Sequence, residues 1–146
     1  MDTSKVQELF RRAVANDDAA AMREGLERML GVSDYGGLSP EREYELRRAD
    51  FVMEMPQSRE RIRGRDRLRK MQEAFPAPAP AITVRRVTGA RHVWIAEGDI
   101  DYGGDRTQVV VIFELDDQCL IARETRYYLQ PFEAPAWRAE LAEAMD

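Results

Sequence analysis

The stretch "ADFVMEMPQSRERIRGRDRLRKMQEAFP", residues 49 to 76, changes character twice within its length. Phe51, Met53 and Met55 alternate with Val52 and Glu54, the period-two pattern of a short strand, and Pro56 ends it. "RERIRGRD" (59–66) reads as a brief strand that turns at Gly64 into a helix. Leu68, Met71, Gln72 and Phe75 mark that helix's stripe. "PAPAP" (76–80) is excluded from helix and from central strand, so it reads as a stiff linker.

Upstream the periodicity is helical. Val6, Leu9, Phe10 and Val14 share a face behind Ser4 as a candidate N-cap. Asn16-Asp17-Asp18 breaks the run and caps a second helix, which carries Met22, Leu26, Met29 and Leu30 and stops at Gly31. "VSDYGGLSP" is loop by composition. Ser39-Pro40-Glu41 starts a short helix that is expected to reach about Arg48.

Downstream come strands at 82–87, 93–101, 108–115 and 120–129, and then a closing helix over 134–145 with Trp137 and Leu141 on its stripe. Helices first and meander strands last mean α+β, not alternating α/β. The late strands, joined by short turns, should form an antiparallel sheet curved over the helices, with a conical pocket between them. No internal repeat is visible.

Composition bounds the function classes. At 146 residues, with 44% apolar and 34% charged residues, the chain suits one soluble globular domain spanning 1–146. A net charge of −5 disfavours nucleic acid as the main partner. The one cysteine, Cys119, excludes an internal disulfide and fits a reducing compartment. There is no signal-peptide pattern, and no run approaches the ~20 apolar residues of a membrane span. The expectation is a cytoplasmic protein with no membrane contact.

"EGDIDYGGD" (97–105) concentrates the acidic groups. In a strand, residues two apart share a face and lie roughly 6.5 to 7 Å apart. Glu97, Asp99 and Asp101 therefore point one way, and on the last strand Glu124, Arg126 and Tyr128 do the same. If the two strands are neighbours or near-neighbours, Arg126 lies beside the aspartates, keeps one ionised and lets the other rise in pKa. That separation of protonation states is what acid/base work needs. The competing reading is a solvated rim.

A calcium loop fails because Gly103 stands at its fifth position and Val110 at its twelfth, where Glu is required. The lone His92 supports no zinc site. No metal and no cofactor is expected, and Tyr102 to Asp105 reads as a hairpin turn.

The arginine run from Arg59 to Lys70 scatters over several faces and reads as solvated surface. Phe10, Val14, Met53 and Met55 either line an apolar ligand cavity or fill plain core. Tyr35 is a candidate lid over the pocket, or simply part of a surface loop. Trp94, Val110 and Ile112 are assigned to an outer sheet face, where a homodimer would form. His92 and Cys119 read as structural.

The strand ending at Pro56, the helix opening at "IRGRD" (62–66) and "IARETRYYLQPFEAPAWR" (121–138) together resemble the nuclear transport factor two-like superfamily. Within it the SnoaL-like polyketide cyclase and ketosteroid isomerase group is most similar. The resemblance runs from residue 4 to about 140. It implies a cone-shaped α+β barrel: N-terminal helices packed on a curved, mostly antiparallel sheet, plus a C-terminal helix. It also implies a small, largely apolar ligand in the pocket.

Ketosteroid isomerases carry a general-base Asp before the first-strand proline, an oxyanion-hole Tyr on the first helix and an Asp donor on a late strand. Here those positions fall at Met55, Phe10 and Val111, so that mechanism is disfavoured. In the limonene-epoxide hydrolase pattern, Asp101 matches the water-activating carboxylate. Asp99 and Arg126 stand there with Arg and Asp exchanged. The resemblance thus implies Asp101 as base, Asp99 as acid or its partner, Arg126 as the group setting their charges, and Tyr128 as a ligand anchor. Asp99, Asp101 and Glu124 remain alternatives for a cyclase acid/base. A non-catalytic ligand-binding or dimerisation module is the rival reading.

Overall fold

A computed structural model describes residues 3–76 and 78–145. Three helices open the chain: α1 (Ser4–Asn16), α2 (Ala19–Leu30) and α3 (Pro40–Glu45). Thr3, not Ser4, stands at the N-cap of α1. Asp18 caps α2, its Oδ1 accepting from the Ala21 amide at 3.1 Å, while Asp17 takes the left-handed conformation that lets the chain turn. Ser39 caps α3 in the same way, with Pro40 in its first turn.

The strand β1 (Arg47–Met55) begins directly after α3, so the helix ends about three residues short of Arg48. Its early start follows from pairing: Arg47 is registered against Ile121 of the last strand. Next come β2 (Glu60–Arg63), α4 (Arg65–Glu73), β3 (Ala81–Ala90), β4 (Val93–Asp101), β5 (Arg106–Leu115) and β6 (Ile121–Leu129). The six strands form one curved, open sheet in the order β2-β1-β6-β5-β4-β3. Every pairing is antiparallel except β1 with β6, which is parallel because the chain leaves β2 through α4 and the hairpins and returns beside β1.

The inner face of the sheet meets the helices. Val6, Leu9, Phe10 and Ala13 of α1 and Met22, Leu26 and Met29 of α2 are buried with Phe51, Met53, Trp94, Phe113 and Ile121. Gly25 lets the two helices approach: a Cβ there would sit 2.8 Å from the Phe10 ring. Trp94 belongs to this inner layer, fully buried with its indole N–H donating to the Arg91 carbonyl at 2.7 Å; it is not on the outer face. Val110 and Ile112, on the alternate positions of β5, are half-buried on the outer side.

One expectation fails toward the C-terminus. The C-terminal helix over 134–145 is absent: only Ala136–Arg138 form a single 3-10 turn, and Trp137 and Leu141 are exposed. A short helix needs an apolar face to bury, and this segment packs its stripe against nothing. The linker reading of 76–80 includes Ala77, which lies outside the described residues; 78–80 are irregular.

Candidate functional site

Between the helices and the inner face of the sheet lies a cavity of about 480 Å³. Most of its wall is apolar: Leu30, Met55, Met71, Ile100, Val111 and Phe113 among others. The buried charged groups gather along a diagonal that runs from α3 across β1 to β6, while Gln72, Thr83 and Glu97 line the cavity elsewhere.

Each polar side chain is placed by its element's own period. Glu43 and Arg47 are four apart at the junction of α3 and β1, and Arg47 Nη1 lies 3.4 Å from Glu43 Oε1. Glu124, Arg126 and Tyr128 alternate along β6 and so share its inner face, opposite Phe113, Val111 and Val109 of β5. Arg47 donates to Glu124 Oε2 from Nε at 2.7 Å, and its Nη2 is ion-paired with the same oxygen at 2.6 Å. Arg126 donates to Glu124 Oε1 from Nε at 2.9 Å, and its Nη2 is ion-paired with the same oxygen at 2.8 Å. The remaining Arg126 nitrogen, Nη1, lies 3.4 Å from the Tyr128 hydroxyl. Arg47 also stacks its guanidinium 5.1 Å from the centre of the Phe51 ring.

The result is an alternating chain, Glu43, Arg47, Glu124, Arg126, whose formal charges cancel. Such a chain answers the main objection to burying ions, since each charge meets an opposite one with hydrogen bonds. Burial pushes the Glu124 carboxyl up, but the charges and hydrogen bonds of Arg47 and Arg126 outweigh it and hold it below the usual carboxylate range. Burial acts against the Arg126 cation, and the Glu124 charge beside it, with Tyr128, more than restores it. Tyr102, at the cavity mouth against Phe75 with ring centres 5.9 Å apart, is pushed up by burial and by neighbouring Tyr128, against the pull of Arg126.

These facts sort the groups chemically. The Glu124 side chain is 1% exposed and both its oxygens are taken by guanidiniums, so it is a poor proton acceptor. The Arg126 side chain keeps 15% exposure and opens on the cavity together with Tyr128. Both can donate hydrogen bonds to an acceptor oxygen in an apolar surrounding, where a fixed cation is worth more than in water. Among the described residues, no three His, Cys, Asp or Glu side chains gather to hold a metal.

The structure separates the residues that sequence analysis grouped. Arg126 is registered with Val111, and Val111 with Ala96, so Arg126 shares the inner face with Ala96, Gly98 and Ile100. Asp99 and Asp101 occupy the alternate positions of β4 and point outward. Asp99 pairs with Arg85 at 3.2 Å, and Asp101 Oδ1 accepts from the Gly104 amide at 2.6 Å within the hairpin turn. The reason is strand parity: a shared face within each strand does not fix which face the two strands have in common. Neither aspartate is therefore among the residues that line this cavity; Asp101 borders a separate hollow with Pro78, Pro80 and Tyr102.

Glu124, Tyr128 and Met55 line the cavity, whereas Phe10 and Met53 are buried in the core and Val14 packs at its edge. Tyr35 lies under Arg28, with Arg28 Cζ 4.7 Å from its ring centre, and is not among the lining residues; Leu38 of the same loop is. Glu43 and Arg47 were missed. Their signal in the sequence was an acid and a base spaced four apart immediately before an apolar strand.

No protein-family model and no curated protein matches the sequence. Solved structures do. An NTF-2 like protein of unknown function from Burkholderia xenovorans is 28% identical, with 98% of this chain and 97% of that chain covered at a TM-score of 0.66. A protein provisionally assigned as a ketosteroid isomerase from Kribbella flavida is 23% identical over 99% of this chain and 93% of that chain, at 0.69. An LEH-like epoxide hydrolase of Mycobacterium tuberculosis is 19% identical over 86% and 81%, at 0.51. The last two likenesses speak for the fold alone. The helices laid on an open, curved sheet, together with these likenesses, give this chain the nuclear transport factor two-like fold.

Proposed function

We propose that the chain binds a small, largely apolar molecule in this cavity and holds one acceptor oxygen of it between Arg126 and Tyr128. One observation carries the reading: a guanidinium whose charge is balanced by Glu124 still borders a mostly apolar cavity, with its Nη1 beside a phenol. A cavity of about 480 Å³ is within the ordinary range for small-molecule sites. Apolar walls supply affinity without direction, and the two donors at one end supply orientation.

A reaction at the bound oxygen is the second reading. It is favoured by the same pair, because donors fixed in a dry site stabilise negative charge that develops on a carbonyl or epoxide oxygen. Arg126 and Tyr128 would then be the groups that polarise the substrate.

Calorimetric titration with benzophenone and chalcone, apolar ketones of suitable size, tests the binding reading. Both should bind the wild type, and Arg126→Met should weaken them by about tenfold or more. Failure of every ketone to bind the wild type overturns the reading. Following the ultraviolet absorbance of the same ketones over hours separates turnover from binding alone.

A further inference from the structure

Among the buried charged groups of the cavity, the carboxylate of Glu43 is the least accounted for. Glu43 is 4% exposed, lines the cavity, and sits on α3 near Pro40 and the preceding loop residue Leu38, which line it too. Among the described residues its carboxylate has one hydrogen bond, from Arg47 Nη1 at 3.4 Å, at the long limit of such a contact. The same nitrogen makes a shorter bond, 3.1 Å, to Glu43's own backbone carbonyl. Glu124, in the same chain of charges, has one hydrogen bond and a second guanidinium nitrogen on each oxygen, all at 2.6 to 2.9 Å. A carboxylate offers about four acceptor sites, and a buried one rarely leaves most of them unused.

We propose that Glu43 is a second polar anchor of the cavity, so that its ligand is a neutral molecule with a hydroxyl at one end and an acceptor oxygen at the other. This rests on the binding reading above, since the acceptor end is the one held by Arg126 and Tyr128. The two ends of the charge chain, the Glu43 carboxylate and the Arg126 guanidinium, both open on the cavity. The first accepts and the second donates. A ligand that spans them therefore needs a donor and an acceptor, in that orientation.

Charge selects within that class. The formal charges of Glu43, Arg47, Glu124 and Arg126 cancel. An ammonium or a carboxylate on the ligand would bring an unbalanced charge into an apolar space, at a cost that a neutral hydroxyl avoids. Hydroxy-ketones are the simplest molecules that fit.

The test uses benzophenone and chalcone, each unsubstituted, para-hydroxylated and para-methoxylated, titrated calorimetrically into the full chain. The methoxy compounds keep the oxygen, lack the donor and add a methyl group, for whose bulk the Glu43 variants are the control. In the wild type at least one hydroxy-ketone should bind about tenfold more tightly than its methyl ether, the scale of one hydrogen bond to a charged acceptor. Glu43→Met should abolish that difference. Glu43→Gln keeps an uncharged acceptor, should reduce the difference to about threefold, and serves alone if the Met variant does not fold. If the ketones bind and lose affinity in Arg126→Met, but hydroxy and methoxy forms bind alike, the Glu43 anchor is wrong and the binding reading stands. If the hydroxyl advantage survives both Glu43 substitutions, the anchor is likewise overturned. If no ketone binds the wild type, the binding reading falls and takes the anchor with it.

Discussion

Glu124 and Arg126, two residues apart on β6, turn to the same side of the sheet and join through Glu124 Oε1 at 2.8 and 2.9 Å. A strand's period of two is all that is required to bring them together. The same carboxylate is held from its other side by Arg47, across the one parallel seam of the sheet. The ion pair thus fixes the guanidinium that the cavity uses and also ties β1 to β6.

Removal of the central carboxylate should be costly. Glu124→Ala leaves two guanidiniums facing each other in a buried place, and breaking a buried pair from one side costs about 3–5 kcal/mol. Urea unfolding followed by circular dichroism should show a midpoint lowered by that free energy divided by the slope, at an unchanged slope.

The pH dependence has a definite sign. Burial raises the Glu124 carboxyl, and Arg47 and Arg126 lower it by more, so its folded value lies below its unfolded one. A group depressed in this way contributes stability that is fully present above the usual carboxylate range, near pH 4.3, and is lost as pH falls through the lower folded value. Wild-type stability should therefore fall on acidification below about pH 4. Glu124→Gln should be less stable at pH 7 and should lose less on acidification. A wild-type curve no steeper than that of the variant would contradict the assignment.

The outer aspartates should be dispensable. Asp99 pairs with the half-exposed Arg85, and Asp101 serves the turn at Gly104. Exposed ion pairs contribute little, so Asp99→Asn should change stability by no more than about 0.5 kcal/mol. Ketone affinity should be unchanged in Asp99→Asn and in Asp101→Asn. An affinity loss in either would return these residues to the site.

Gly98 should resist substitution for a reason of space. It lines the cavity on β4, and a Cβ there would meet the Thr83 carbonyl oxygen of β3 at 2.3 Å, beside the irregularity between Val84 and Arg86. Backbone cannot step aside as a side-chain tip does, so Gly98→Ala should cost about 1–3 kcal/mol. A melting temperature equal to that of the wild type would show that the two strands separate more easily than their register implies.

Much of this fold was legible in the sequence because its signals are local. Phe51, Met53 and Met55 announced β1 by alternation, Gly64 marked the entry to α4, and Asp18 and Ser39 carried caps that the structure uses. The C-terminal helix was misread because Trp137 and Leu141 satisfy a periodic pattern that has no surface to bury against. The site was half legible. Arg126 and Tyr128 share a face by parity alone, but the relation of that face to Asp99 depends on β5 lying between β4 and β6 and on its register. Glu43 and Arg47 reach Glu124 only through the parallel pairing of β1 with β6, a contact between residues 77 apart in sequence for Arg47. No pattern within either segment encodes it.

The central claim is that Arg126 and Tyr128 form the polar end of a ligand cavity. A crystal structure of the protein with para-hydroxybenzophenone tests it most directly. The ketone oxygen should lie about 3 Å from an Arg126 Nη atom and from the Tyr128 hydroxyl. A ketone seated with its oxygen away from both, or found only on the outer face beside Asp99, would contradict the account.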